Sequence, residues 1–141
     1  MIRRGLALLL MALVLTGCSI FEPPVQPRIG TLQLDIQNRP QQEEDVIADE
    51  AFKGDGISYD AESTRHLGSD DGRDFYVASS TTNICLIELS EAEGSGGAVC
   101  NPSLPLKMGD DSYQAELWWD KVARQGSPVG FWIGDYLWMQ S

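Results

Sequence analysis

Few side chains in this sequence could do chemistry, and their types limit what that chemistry would be. The 141 residues hold three cysteines (Cys18, Cys85, Cys100) and one histidine, His66. A serine or cysteine nucleophile that needs an imidazole base would have to use His66. No serine sits in a Gly-x-Ser-x-Gly elbow, and His66 follows Arg65, a setting typical of a surface residue. Zinc sites draw on several Cys or His ligands, more than this chain can bring together. The carboxylate pairs Asp70-Asp71 and Asp110-Asp111 fall in turn signals, where water surrounds them, whereas a glycosidase pair needs a cleft to raise one pKa. Eight acids between residues 43 and 62 face Lys53 alone, but the Asp-x-Asp-x-Asp-Gly order of a calcium loop is missing. The sequence therefore predicts no catalytic residue, no metal and no cofactor. Trp118, Trp119, Trp132 and Trp138 remain, all in the last 24 residues together with Phe131 and Tyr136, and with Tyr113 shortly before them. An exposed tryptophan is a common binding anchor, so these four form the candidate binding surface. The simpler reading is that the rings fill the core of a small domain.

Three segments must carry these residues. Residues 1–17 have the parts of an export signal: Arg3 and Arg4, then an unbroken apolar run over 6–15, then the small Thr16 and Gly17. Ten apolar residues are too few to cross a bilayer core as a helix, which takes ~20. Residues 18–44 read as a flexible tether, broken by Pro23, Pro24, Pro27 and Pro40. Leu32, Leu34 and Ile36 alternate with polar residues as a strand would, but in this setting a spacer is the expectation. Residues 45–141 read as one small β-rich domain, with Val46, Ile47 and Phe52 docking its acidic entry segment.

Within that domain Asp71-Gly72 in a polar cluster is a hairpin signal, followed by a strand at 75–79. Residues 84–89 are apolar on both faces until Glu88, as in a central strand. A glycine-rich loop over 91–97 leads to a short strand ending at Cys100. Residues 101–108, with Pro102 and Pro105, read as irregular, and 109–111 as a turn. The stretch 112–125 is ambiguous. Tyr113, Ala115, Leu117 and Trp119 alternate, while Ala115, Trp118, Trp119, Val122 and Ala123 share a helical face, with Asp111 as cap and Gly126 and Pro128 as stop signals. Residues 131–139 form a last strand interrupted at Gly134-Asp135. The expected fold is mostly β, a small antiparallel sheet domain, with a single helix near 112–125 as the alternative to a strand there.

Leu15-Thr16-Gly17-Cys18 resembles the lipobox of bacterial lipoproteins, in which a signal peptide is cut before a cysteine that becomes lipidated. The resemblance implies diacylglycerol on the Cys18 thiol and an acyl chain such as palmitate on its amine, a stable anchor where one chain would be marginal. The mature chain would begin at Cys18 and carry 8 basic against 21 acidic residues, a net charge of −13. That sign disfavours nucleic acid and a polybasic dock on anionic lipid. With Cys18 lipidated, Cys85 and Cys100 are left to pair in an oxidising compartment. Their bridge would close a hairpin with a mobile tip, stabilising it by ~3 kcal/mol on the chain-entropy account. A redox pair is the weaker alternative, since no Cys-x-x-Cys is present.

Further residues carry a second likeness: Glu62-Ser63-Thr64-Arg65-x-Leu67-Gly68, Asp71-Gly72, Phe75-Tyr76-Val77-Ala78, Ile84-Cys85-Leu86-Ile87, Cys100 and Trp132-Ile133-Gly134-x-x-Leu137-Trp138. Over roughly residues 45–141 the chain resembles small uncharacterised lipoproteins and membrane-anchored ectodomains of high-GC Gram-positive bacteria. That resemblance implies a compact antiparallel domain with one bridge, no established activity, and a strand over 112–119. The functional expectation is a non-enzymatic lipoprotein on the extracytoplasmic face of the cell membrane. It would be held by membrane lipid through Cys18 and would bind an envelope protein. A small-ligand or glycan-binding module using exposed tryptophans is the alternative, and an envelope hydrolase using His66 a remote third.

Overall fold

A computed structural model describes residues 34–48, 57–90, 92, 95–121, 124 and 129–140. The export signal, Cys18, Leu32, Phe52, and Val122, Ala123, Gly126 and Pro128 of the helical alternative lie outside the described residues.

Among the described residues eight strands form two antiparallel sheets. The first is a meander of β1 (Asp60–Asp70), β2 (Arg73–Ser79), β3 (Ile84–Ser90) and β4 (Ser95–Asn101), paired in chain order. Asp71 and Gly72 join β1 to β2 with positive φ at both positions (47° and 72°). This is the backbone that an Asp-Gly hairpin demands and that matches the twist of its strands. The β2–β3 turn closes on Ser80 N–H donating to the Asn83 carbonyl at 2.8 Å. Cys85 and Cys100 are register partners on β3 and β4, and they form the disulfide. The bridge ties β3 to β4, which begins at Ser95, so the expected loop over 91–97 is strand from that residue on.

The second sheet holds β5 (Leu106–Gly109), β6 (Gln114–Leu117), β7 (Phe131–Ile133) and β8 (Leu137–Gln140) in the order β5-β6-β8-β7. The main core lies between the sheets. Phe75, Val77 and Leu86 of the first sheet meet Ala115, Leu117, Leu137 and Met139 of the second, with Leu104 and Leu106 closing one end. A smaller cluster of Tyr76, Ala78, Cys85 and Ile87 lies on the outer face of the first sheet, where Ile47 and Tyr59 cover it. Residues 84–87 of β3 are thus buried on both faces, which explains an apolar run without alternation.

Three expectations are corrected. The helical alternative at 112–125 does not form among the described residues. Gln114–Leu117 is a strand with hydrogen-bonded neighbours on both edges, β5 and β8. A strand there fills two ladders and points Ala115 and Leu117 into the core, which a helix could not do. The stretch expected to be irregular contributes β5 from Leu106 onward. The third concerns the stretch expected to be spacer, which packs on the sheet from Leu34. Leu34 enters the main core, and the chain makes 3-10 turns at Asp35–Asn38 and Glu43–Asp45 in place of an alternating strand. Ile47 docks as expected, but Val46 is 59% exposed.

Candidate functional site

The strap of residues 34–48 is fastened by polar side chains that sequence reasoning passed over. Asp45 is fully buried. Its carboxylate receives the Arg39 guanidinium in a two-point contact (Nη2 to Oδ1, 2.8 Å), the Gln42 N–H at 2.7 Å and the His66 N–H at 2.7 Å. Burial alone would raise the carboxyl, but Arg39 and the two backbone donors hold it below the usual carboxylate range. Arg65, also buried, donates among the described residues to carbonyls, including those of Arg39 at 2.6 Å, Thr64 at 2.6 Å and Glu62 at 2.9 Å. Gln37 reaches the Ser63 carbonyl and the Ser79 hydroxyl. The outer edge of β1 therefore meets the strap where an unprotected strand would offer bare donors to another chain. Hydropathy gives no warning of a buried arginine, because its partners are carbonyls that every sequence has.

His66 is not an isolated surface residue. Its Nε2 lies 3.3 Å from Asp74 Oδ1 and 3.4 Å from Ser69 Oγ, Ser69 donates to Asp74 directly, and the imidazole packs on the Tyr76 ring at 5.0 Å between centroids. The three residue types match a hydrolytic triad, but the wiring differs. In a triad the carboxylate orients one ring nitrogen while the other takes the serine proton. Here serine and aspartate both address Nε2, and the arrangement is a hydrogen-bonded triangle that pins the β1–β2 hairpin.

The tryptophans separate by their contacts. Trp119 packs against the main core, and Trp118, just beyond the end of β6, donates its indole N–H to Glu116, with the two rings 5.6 Å apart between centroids. Trp132 and Trp138 are cross-strand partners on β7 and β8, and their row continues through Glu116 on β6 to Lys107 on β5. Leu117, Leu137 and Ile133 point into the core, so Lys107, Glu116, Trp138 and Trp132 form one line across the outer face of the second sheet. Glu116 is the hub, accepting from Lys107 Nζ at 2.8 Å, Trp118 Nε1 at 2.9 Å and Arg124 Nε at 3.0 Å. Burial would raise its carboxyl, but these three donors hold it below the usual range. Arg124 also lies over the Trp138 ring, 3.4 Å from its centroid. A Cβ on Gly130 would stand 2.1 Å from the same ring. Trp138 is consequently only 1% exposed. Of the four candidate binding residues, Trp118 and Trp132 are half-buried on this face, Trp138 lies beneath it and Trp119 lies on the core side. Alternation along β6 could have placed Glu116 beside Trp118, but not Arg124, which arrives from a loop.

No family model, curated protein or solved structure matches this chain. Among the described residues no helix is long and apolar enough to cross a membrane, and no group of three or more His, Cys, Asp or Glu could hold a metal ion.

Proposed function

We propose that this protein is a non-enzymatic lipoprotein, anchored by acylated Cys18 to the extracytoplasmic face of the cell membrane, whose bridged β domain binds an envelope protein. The observation that carries the reading is Leu15-Thr16-Gly17-Cys18 after a short apolar leader. Two features of the fold support it. The Cys85–Cys100 bridge suits an oxidising compartment. The chain joins the fold already at Leu34, so residues 18–34 could place the domain no more than ~55 Å from the lipid even when fully extended. The triangular wiring of His66, Ser69 and Asp74 favours a structural role for the one histidine over a hydrolytic one. The likeness to small lipoproteins of high-GC Gram-positive bacteria belongs to this proposal as well.

In-cell crosslinking of the native lipidated protein, with mass spectrometry of what co-purifies from membranes, tests it. One stoichiometric envelope protein is the expected result. Recovery in the membrane fraction with no specific partner would refute the interaction. Recovery in the soluble fraction alone would refute the anchor.

A further inference from the structure

Among the described residues the two sheets end in four edge strands, and three of them are guarded. β1 has two breaks in register, and the strap lies along it. β7 is three residues long, and β5 is four and carries Lys107. β4 differs. It runs for seven residues, Ser95–Asn101, and pairs with β3 at every position without a break. It holds no charged residue and no proline, and residues 102–106 add no charge. Among the described residues no other backbone hydrogen-bonds to its outer side. Short length, charge, bulges and cover are the means by which sheets keep their edges from pairing, and none of them is found along β4.

Which backbone groups face outward follows from the bridge. Opposed residues of an antiparallel pair alternate between hydrogen-bonded pairs, with Cα atoms ~5.5 Å apart, and non-hydrogen-bonded pairs at ~4.5 Å. Cys85 and Cys100 are opposed with Cα atoms 4.1 Å apart, so theirs is a non-hydrogen-bonded pair. The N–H and C=O of Cys100 therefore point away from β3, and by alternation those of Ala98 and Gly96 do too. These donors and acceptors line the open side, centred on Ala98, the middle residue of the strand.

We infer that β4 pairs antiparallel with β4 of a second copy of this chain, about a two-fold axis at Ala98, joining two four-stranded sheets into one. In this register Ala98 faces the partner's Ala98, and Gly96 faces the partner's Cys100. These are hydrogen-bonded pairs, so every outward group on both strands finds a partner along the full length of β4. Such an interface is isologous and closes on itself.

Two observations favour this occupant over a foreign strand. The first is size. A small residue opposes each larger one, Gly96 against the partner's Cys100 and Gly97 against the partner's Val99, so the strands can close to normal spacing. The partner's Val99 then comes beside Met108, whose Cε stands 3.6 Å from the Cβ position of Gly97. Val99 and Met108 are each only partly buried in one copy. The second is charge. The chain has 21 acidic residues against 10 basic ones, and two copies repel wherever carboxylates face each other. On β3 the one carboxylate is Glu88, opposite Gly97 and paired with Arg73 at 3.0 Å. Three strand spacings, ~14 Å, would separate it from the partner's Glu88, beyond the screening length at physiological salt. A foreign strand drawn to an acidic protein would be steered by carboxylates along the edge, and β4 has none. The pairing requires neither the anchor nor an envelope partner.

The test uses the full native chain in a density-matched detergent. Sedimentation equilibrium should show monomer and dimer exchanging with a dissociation constant of ~1–100 µM. The amides of Gly96, Ala98 and Cys100 should exchange slowly with solvent in the dimer and lose that protection on dilution. Ala98→Pro removes one outward N–H from each copy and leaves the bonds to β3 in place. It should weaken the dimer about thirtyfold or more, as the loss of two interchain hydrogen bonds implies. Gly96→Pro, nearer the end of the strand, should act in the same way, and near-UV circular dichroism checks the fold of both. A chain that stays monomeric at ~1 mM overturns the inference. Unprotected amides would then leave the edge to a foreign strand, and protected ones to another segment of the same chain. A dimer that survives both substitutions, or amide protection that does not change on dilution through the dissociation constant, overturns it as well.

Discussion

Asp45 shows how much a single side chain can organise. A carboxylate without access to water is tolerable only when paired and hydrogen-bonded, and Asp45 has Arg39 and two backbone N–H groups. Asp45→Asn should cost about 3 kcal/mol, because it leaves the Arg39 guanidinium without its charge partner; a urea midpoint would measure it. The pH dependence follows from the direction of the shifts. Asp45 and Glu116 both hold folded-state carboxyls below their ordinary values. Their stabilisation is therefore complete above the unfolded carboxylate range, at about pH 4, and is lost as pH falls through the folded values. Urea midpoints should be flat from neutral pH down to about 5 and decline below about 4, with a shallower decline in D45N. An equal decline in both proteins would show that Asp45 does not carry the acid sensitivity. At the same scale, Tyr113 donates its hydroxyl to Glu88 beneath the Arg73 guanidinium. Burial and that carboxylate push its phenol well above the usual value, so spectrophotometric titration should find it among the last tyrosines to ionise.

At the scale of elements, the two sheets are joined where β1 passes β7. Gly68 sits in an irregularity of β1 with φ of 141°, and a Cβ there would lie 2.2 Å from Ile133 Cγ2. Both the backbone angle and the contact exclude a side chain. Gly68→Ala should destabilise by about 2 kcal/mol or more. Combined with Ile133→Ala the losses should sum to less than their separate values, since the second change relieves the clash left by the first. Strict additivity in denaturant melts would mean that the φ angle alone sets the cost. Across β3 and β4, replacing both Cys85 and Cys100 by alanine should lower stability by about 3 kcal/mol through the freed hairpin loop, read as a lower guanidinium midpoint.

For the molecule as a whole, residues 34–48 turn the base of a tether into part of the domain. They cover the β1 edge, send Leu34 into the main core and place Ile47 on the outer face of the first sheet. A chain trimmed to begin at residue 46 should leave His66 N–H, Thr64 and Arg65 without their strap partners, at ~1–3 kcal/mol for each group left unpaired. It should melt lower and self-associate through the bared β1 edge. A chain beginning at residue 30 should melt as the mature protein does. Melting and sedimentation of the two would decide whether the domain starts at the strap or, as composition suggests, near residue 45.

Local patterns in the sequence were enough for several features. Asp71-Gly72 specified a turn because few other residue pairs adopt two positive φ angles. The run Ile84-Cys85-Leu86-Ile87 specified a strand covered on both sides. The cysteine count, read with the lipobox resemblance, paired Cys85 with Cys100. These signals are short-range, and the residues involved carry their own physical requirement. Tertiary structure decided the rest. Residues 112–119 have both periodicities, and only the free edges of β5 and β8 select a strand. The strap looked like spacer because its fastenings are an arginine, an aspartate and glutamines, whose burial depends on partners far away in the chain. Trp138 and Trp132 look alike in sequence, yet one lies under Arg124 and Gly130 while the other remains partly open. Burial is set by what the chain brings from elsewhere, and no local pattern encodes it.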